Sequence, residues 1–127
     1  MVVREVFDIA IVGLLAAVQE ARADIKAAAG AVLVTNGAFG DITPQMDELA
    51  VNLKSMGVAL GNAAKHKLVG LLAQALKADG VYVGEVTTAG VVKGTAWAGD
   101  QGIDGAVIAN QFWDLYRSRG ANRARVS

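Results

Sequence analysis

The sequence predicts an α/β protein in which helices alternate with the strands of a small parallel sheet. Two short apolar runs beside glycines, AVLVT at 31–35 and GVYVGEVTTAG at 80–90, are typical of buried strands. Helical periodicity precedes, separates and follows these runs, which gives the order helix–strand–helix–strand–helix. Strands that alternate with helices pair in parallel through right-handed crossovers. We therefore expect one domain over residues 1–127 with two parallel strands.

The first helix is predicted over residues 3–28, which are rich in good helix formers. Apolar residues recur at helical spacing along two sides of it, so it is expected to pack between the sheet and a neighbour. The apolar run at 6–18 is shorter than the roughly 20 residues that a bilayer-spanning helix needs. No signal-peptide cleavage region follows it, so we expect no membrane segment. Gly30 is predicted to end the helix.

Thr43 and Pro44 form an N-cap and first-turn pair that opens a helical stretch over about 44–78. Gly57 predicts a break within this stretch. A last helix is expected over about 103–118, and the tail GANRARVS that follows it is expected to be exposed. The core face of the long stretch is predicted to consist of Leu68, Leu71, Leu72, Ala75 and Leu76.

Charge and cysteine content exclude several classes of function. Twelve basic and twelve acidic residues cancel, so no overall field attracts nucleic acid or an anionic membrane. No cysteine is present, which excludes disulfides and thiolate metal sites and is compatible with a reducing cytoplasm. His66 is the only histidine, so a histidine metal site or a Ser-His-Asp triad has little to build on. We expect a cytoplasmic protein without a metal or a nucleic-acid partner.

Three runs of the sequence, FDIAIVGLLAAVQEA, GAVLVTNGAFG and NAAKHKLVGLLAQALKADGVYVGEVTTAGVV, resemble the second half of short-chain dehydrogenase/reductases. The most specific likeness is the ungapped run from Asn62 to Val83. The resemblance implies a partial Rossmann-like unit with a serine-bearing strand, a Tyr-x-x-x-Lys helix and a strand ending near Pro-Gly. A two-stranded sheet has long exposed edges. A second copy, another subunit or an amino-terminal half outside this sequence is expected to complete it.

The dinucleotide-binding turn of that family is not found in this sequence. No G-x-G-x-x-G motif occurs, and a freshly capped helix follows the segment VLVTNGAFGDIT. Of the three glycines in the family's phosphate turn, this segment keeps only Gly40, and Asn36 and Ile42 stand at the other two positions. We therefore expect little affinity for NAD or NADP and no cofactor for this chain alone.

The four catalytic positions of the family carry none of the expected side chains. By resemblance the asparagine falls on Ala10 and the serine near Gly37. The tyrosine falls on Val58 and the lysine on Asn62. The resemblance implies that the phenol exchanges a proton, helped by a lysine that lowers its pKa from about 10, and losing such a group costs about 10²–10⁴-fold in rate. Lys65 shares this helical face, but a solvated charge is the favoured interpretation and it is at most a weak substitute.

Part of the family's nicotinamide pocket is expected to survive, because contacts made by backbone atoms tolerate side-chain replacement. Ala89 replaces the proline of the Pro-Gly segment, and Gly90 matches the glycine. The residual cofactor-binding pocket is expected to consist of Thr35, Asn36, Gly37, Thr88, Ala89, Gly90 and Val91.

These observations favour a short-chain-dehydrogenase-like protein with a degenerate active site, which acts as a non-catalytic oligomerising or interaction protein. The resemblance implies a homo-oligomer through residues 3–28 and 57–78. The alternative is a fragment or subunit of an NAD(P)-dependent oxidoreductase whose cofactor-binding half lies elsewhere, and a small-molecule carrier is a weaker third option. The small residues that would permit close helix approach in the oligomer are Ala10, Gly13, Ala17, Gly61 and Ala64.

Overall fold

The computed structural model describes residues 3–127 and shows a three-stranded parallel sheet with helices on both faces. The α/β class and the parallel sheet are confirmed. The helices are α1 (Val3–Phe7), α2 (Gly13–Ala27), α3 (Pro44–Asn52), α4 (Met56–Ala75) and α5 (Gly105–Ser118). The strands are β1 (Ala31–Gly37), β2 (Tyr82–Thr88) and β3 (Arg123–Val126).

The predicted first helix is observed, with one irregular turn inside it. A π-helical segment, Asp8–Val12, joins α1 to α2, and the backbone stays helical at both junctions. The helix ends where Ala29 adopts a left-handed conformation with φ 48° and the Gly30 amide donates to the Ile25 carbonyl at 2.8 Å. These are the two features of a glycine-type helix stop, although an alanine takes the left-handed position.

The predicted break in the long helical stretch lies between α3 and α4. Thr43 caps α3 by accepting a hydrogen bond from the Met46 amide at 3.2 Å, and Pro44 occupies the first turn. The chain then turns at Lys54, which has φ 53°, and the Ser55 amide donates to the Ala50 carbonyl at 2.7 Å. Gly57 is buried inside α4, so the break precedes it.

The strand order is β1-β2-β3, and β3 corrects the expectation of two strands and an exposed tail. Glu85 on β2 pairs with Arg123, and the register continues to Thr88 and Val126. The segment RARV alternates polar and apolar residues, as a half-buried strand does. Val126 is therefore buried on one face of the sheet, whereas Arg123 and Arg125 lie on the other.

Each face of the sheet has its own core. Helices α2 and α4 cover one face, where the buried residues are Val18, Val32, Val34, Leu68, Val69, Leu72, Leu76, Val81 and Val83. Helix α5 covers the other face, where Tyr82, Val86, Leu115 and Val126 are buried. Leu71, which the sequence places in the core, is instead 56% exposed. Helix α4 turns Leu68, Leu72 and Leu76 to the sheet, and Leu71 lies at the edge of that stripe.

The β1 edge of the sheet has no neighbouring strand among residues 3–127. Because residues alternate in direction along a strand, the backbone groups of Leu33 and Thr35 face outward when those of Val34 face β2. Leu33 is 44% exposed on this edge. In the described part of the chain, no helix is long and apolar enough to cross a bilayer.

Candidate functional site

Two cavities adjoin the carboxyl ends of the strands, where ligands bind in open α/β sheets. The polar cavity has a volume of about 830 Å³ and lies between α4, β3 and the loop after β1. The apolar cavity has a volume of about 590 Å³ and lies between α3 and the loop after β2. Both volumes fall within the usual range for small-molecule sites.

The apolar cavity contains two parts of the site that the family resemblance implies. Val58, at the tyrosine position, lines it together with the backbone segment 88–91. Trp97 lines its mouth and is 84% exposed. The remaining walls are largely hydrocarbon and come from Ala38, Phe39, Met46, Leu49, Leu53 and Ser55.

The serine and lysine positions lie in the polar cavity and touch each other. A Cβ atom on Gly37 would lie 2.7 Å from Asn62 Nδ2, so a serine here would require Asn62 to move. Ala10 lies in the π-helical segment and is not among the residues that line either cavity. The four catalytic positions of the family are thus spread over three places in this fold.

The residual pocket expected from the sequence is divided in the same way. Asn36 and Gly37 line the polar cavity, and the segment 88–91 lines the apolar one. Thr35 lies on the opposite face of β1, beside Leu33 and Trp113. Consecutive residues of a strand point to opposite faces, so the seven residues do not enclose one ligand.

The segment VLVTNGAFGDIT forms β1, a short 3₁₀ turn at Ala38–Gly40 and the cap of α3. Gly40 is required there by packing, because an added Cβ would lie 2.5 Å from the backbone nitrogen of Ala63 on α4. This glycine therefore brings the turn against α4. The segment does not fit a pyrophosphate-binding turn, which leads directly from a strand into a helix.

Lys65 has a structural partner on the open edge of the sheet. Its Nζ donates a hydrogen bond to the Thr35 carbonyl at 3.2 Å. Lysines on edge strands commonly block further strand pairing. This contact gives Lys65 a role in covering the β1 edge.

Glu85, which sequence reasoning missed, is buried behind the wall of the polar cavity and binds residues that line it. Its side chain is 0% exposed, and its carboxylate accepts hydrogen bonds from Asn36 Nδ2 at 2.9 Å and from His66 Nδ1 at 2.7 Å. The same Asn36 amide also donates to the Asn62 carbonyl at 2.9 Å. Burial of a carboxylate costs several kcal/mol unless hydrogen bonds and an opposite charge compensate it.

Arg123 supplies that opposite charge, and its contact with His66 identifies the tautomer of the imidazole. Its NH1 contacts His66 Nε2 at 2.7 Å, and its Nε lies 3.9 Å from Glu85 Oε1. Arginine can only donate, so Nε2 is the acceptor and Nδ1 carries the proton that His66 donates to Glu85. His66 lies on the side of α4 that faces β2 and β3, which places its ring between Glu85 and Arg123.

A second ion pair closes the far end of the polar cavity. Arg125 donates two hydrogen bonds to the Asp41 carboxylate, at 3.1 and 2.6 Å. These bonds hold the pKa of Asp41 below its ordinary value of 3.8, although partial burial opposes the shift. The same pairing raises the pKa of Arg125 above its ordinary value. The arginines expected in a solvated tail are therefore walls of the cavity.

One signal in the sequence could have revealed this network. Glu85 is an acid inside an otherwise apolar strand, and such a residue requires partners. Arg123 and Arg125 are two residues apart, as side chains on one face of a strand must be. If RARV had been recognised as a strand, its arginines would have been candidates for the partner that Glu85 requires.

Comparisons with known proteins add no assignment. No family model, no curated protein and no solved structure matches the chain. Within residues 3–127, no group of three histidine, cysteine, aspartate or glutamate side chains is placed to hold a metal ion.

Proposed function

We propose that this chain is a short-chain-dehydrogenase-like protein that acts by association with a second copy and has no independent turnover. The supporting observation is the chemistry of the four family positions. Val58 and Ala10 have no exchangeable side-chain proton, and Gly37 has no side chain. Asn62 packs against Gly37, so the space for a serine is filled by an amide that does not ionise.

The proposed interface is an exposed apolar stripe on the first helix. Ile9 is 73% exposed and Val12 is 56% exposed. Gly13 and Ala16 are also exposed, and the four residues follow the i, i+3, i+4, i+7 spacing of one helical face. A continuous apolar face of this kind on a soluble helix marks an interaction surface.

The shape of this stripe favours a second copy as the partner. A Cβ on Gly13 would meet only the Asp8 carbonyl of its own helix, at 3.4 Å, so the surface above it is open. In a two-fold arrangement, the large Ile9 and Val12 of one copy can lie over the small residues of the other. The four residues of the stripe carry no charge, so contact between two copies of the stripe buries no charged side chain from it.

Helix α4 extends the exposed apolar surface with Met56 and Leu60, which are 59% and 51% exposed. Gly61 is instead used inside the chain, because its Cβ would lie 2.5 Å from Val6 Cγ1. Close approach at Gly61 therefore packs the first helix, which carries the stripe, against α4.

Light scattering at micromolar concentration tests the proposal. We expect a dimer for the wild type and a monomer for Ile9→Glu with Val12→Glu, because four carboxylates would meet at the interface. Val107→Glu is the matched control, since Val107 is 48% exposed on α5 at the other face of the sheet. A wild-type monomer, or equal dissociation by the control, would reject the proposed interface.

A second candidate, a subunit of an NAD(P)-dependent oxidoreductase, is favoured by the apolar cavity at the strand ends. Trp113→Phe would leave Trp97 at the mouth of that cavity as the sole tryptophan reporter. Saturable quenching of Trp97 by reduced nicotinamide cofactor would favour this candidate. No quenching up to millimolar cofactor would favour association without turnover.

A further inference from the structure

We propose that the polar cavity is a binding site for a small organic oxyanion, a carboxylate or phosphate attached to a short apolar group. The proposal does not depend on the proposed function, whose interface lies on the first helix. It rests on three features of the same cavity: the fixed guanidinium of Arg123, the excess positive charge of Lys67 and an apolar patch.

The guanidinium of Arg123 is held in place by His66, whose imidazole is itself bound to a buried carboxylate. Arg123 NH1 contacts His66 Nε2 at 2.7 Å, and NH2 donates to the His66 carbonyl at 3.1 Å. His66 is in turn held by the fully buried Glu85. Gly70 permits this arrangement, since its Cβ would lie 2.9 Å from Arg123 NH2. A side chain fixed from several sides loses little entropy when it binds a ligand.

The same guanidinium keeps hydrogen-bonding capacity for a ligand. Each terminal nitrogen of arginine carries two N–H groups in one plane. His66 takes one from NH1 and one from NH2, and a second N–H on each nitrogen remains available. The side chain of Arg123 is 41% exposed at the cavity wall. The two remaining N–H groups point to different sides of the guanidinium, and each can donate one charge-assisted hydrogen bond to a ligand oxygen.

The charges of the cavity lining favour an anion. Arg125 is neutralised by its paired hydrogen bonds with Asp41. Lys67 also lines the cavity, is exposed, and makes no hydrogen bond or ion pair with other residues of the described chain. Because Arg123 lies opposite the buried Glu85, the excess of positive charge at the cavity is the single charge of Lys67.

An apolar patch defines the rest of the ligand. Leu71 lines the cavity and is 56% exposed, and Ile42 at the rim is 94% exposed. Neither residue belongs to the buried core clusters. A ligand that places an oxyanion on Arg123 would rest its organic group on this surface, which gains free energy from burial.

Calorimetric titration of the full chain tests the site with phenyl phosphate, benzoate and phenol. We expect saturable binding of at least one of the two anions and none of neutral phenol. Binding of only phenyl phosphate or only benzoate identifies the oxyanion. Absence of saturable binding for both anions at millimolar concentration, or equal binding of phenol, would overturn the proposal.

Variants separate a ligand site from a purely structural network. Lys67→Gln touches no partner in the fold and should weaken anion binding by about threefold to tenfold. Lys54→Gln removes the same charge at the α3–α4 turn, outside the polar cavity, and should leave affinity unchanged. Equal affinities for the two variants would overturn the proposal. Arg123→Gln, if circular dichroism shows it folded, should abolish binding, and retained affinity would also overturn it.

Discussion

The polar and apolar cavities are lined by neighbouring residues of β2, yet they differ in chemistry and in how their walls are held. Thr87 lines the polar cavity and Thr88 the apolar one, so a single step along β2 changes the environment from ionic to hydrocarbon. The polar walls are joined by hydrogen bonds across four elements, β1, β2, β3 and α4. The apolar walls include Trp97 and Val91, which are 84% and 46% exposed.

The difference shows that the register of the sheet, more than its composition, assigns a role to each strand end. Pairing of Glu85 with Arg123 places an acid and a base on the same face. A slip of β3 by one residue would turn Arg123 and Arg125 to the face that α5 covers and separate Arg123 from Glu85. The polar cavity therefore depends on β3, whereas the apolar cavity depends on α3 and the loop after β2.

Removal of the buried carboxylate of Glu85 should have the largest effect on the difference between the two cavities. Glu85→Ala leaves Asn36 and His66 without their shared acceptor and Arg123 without its opposite charge. This change should lower the free energy of unfolding by about 2–4 kcal/mol. Urea denaturation followed by circular dichroism measures the loss. Asp114→Ala, which removes an exposed acid paired with Arg117 on α5, is the control and should change stability little. A loss below about 1 kcal/mol for Glu85→Ala would show that the network is not tightly coupled.

A second variant tests the turn that separates the two cavities. Gly40→Ala would place a methyl group 2.5 Å from the Ala63 backbone nitrogen, which cannot rotate away. We expect a destabilisation of about 1–3 kcal/mol from overpacking. Gly105→Ala, where nothing lies within 4 Å of an added Cβ, should leave thermal stability equal or slightly higher. Equal melting temperatures for the two variants would contradict this close contact.

The smallest expected effect concerns the pH dependence of the Asp41–Arg125 pair. Its lowered pKa means that Asp41 binds its proton less readily in the folded state than in the unfolded state. The pair should therefore contribute about 0.2–1 kcal/mol above the ordinary pKa of 3.8 and lose this contribution as pH falls through the folded-state pKa. Wild type and Asp41→Asn should accordingly differ in stability at pH 6 and converge in strong acid. A constant difference across that range would exclude ionic origin.

Much of the fold follows from local patterns. The Thr43–Pro44 cap, the parallel pairing of β1 with β2 and the last helix are read from adjacent residues, and each is observed. The third strand was missed because two arginines among four residues resemble a solvated tail. The hydrogen-bond partners of these arginines, His66 and Asp41, lie 57 and 84 positions away in the chain. Such contacts are set by topology and leave little trace in a local window.

The candidate site was predictable only in part for the same reason. The family resemblance assigned Val58 and Asn62 to catalytic positions, and Val58 does lie at the apolar cavity with segment 88–91. Glu85 was missed because its partners lie far from it in the sequence. Its environment is created by Asn36 and His66, which come from another strand and from α4.

The hydrogen bond from Lys65 to the Thr35 carbonyl has a consequence for solubility. The strand AVLVTNG contains no charge and no proline, and by itself would be a template for fibril growth. An incoming strand must first displace the Lys65 ammonium group from the Thr35 carbonyl. It therefore gains less free energy from pairing than it would on an edge without this lysine. Acylation of this single amine would remove that barrier and promote stacking of chains.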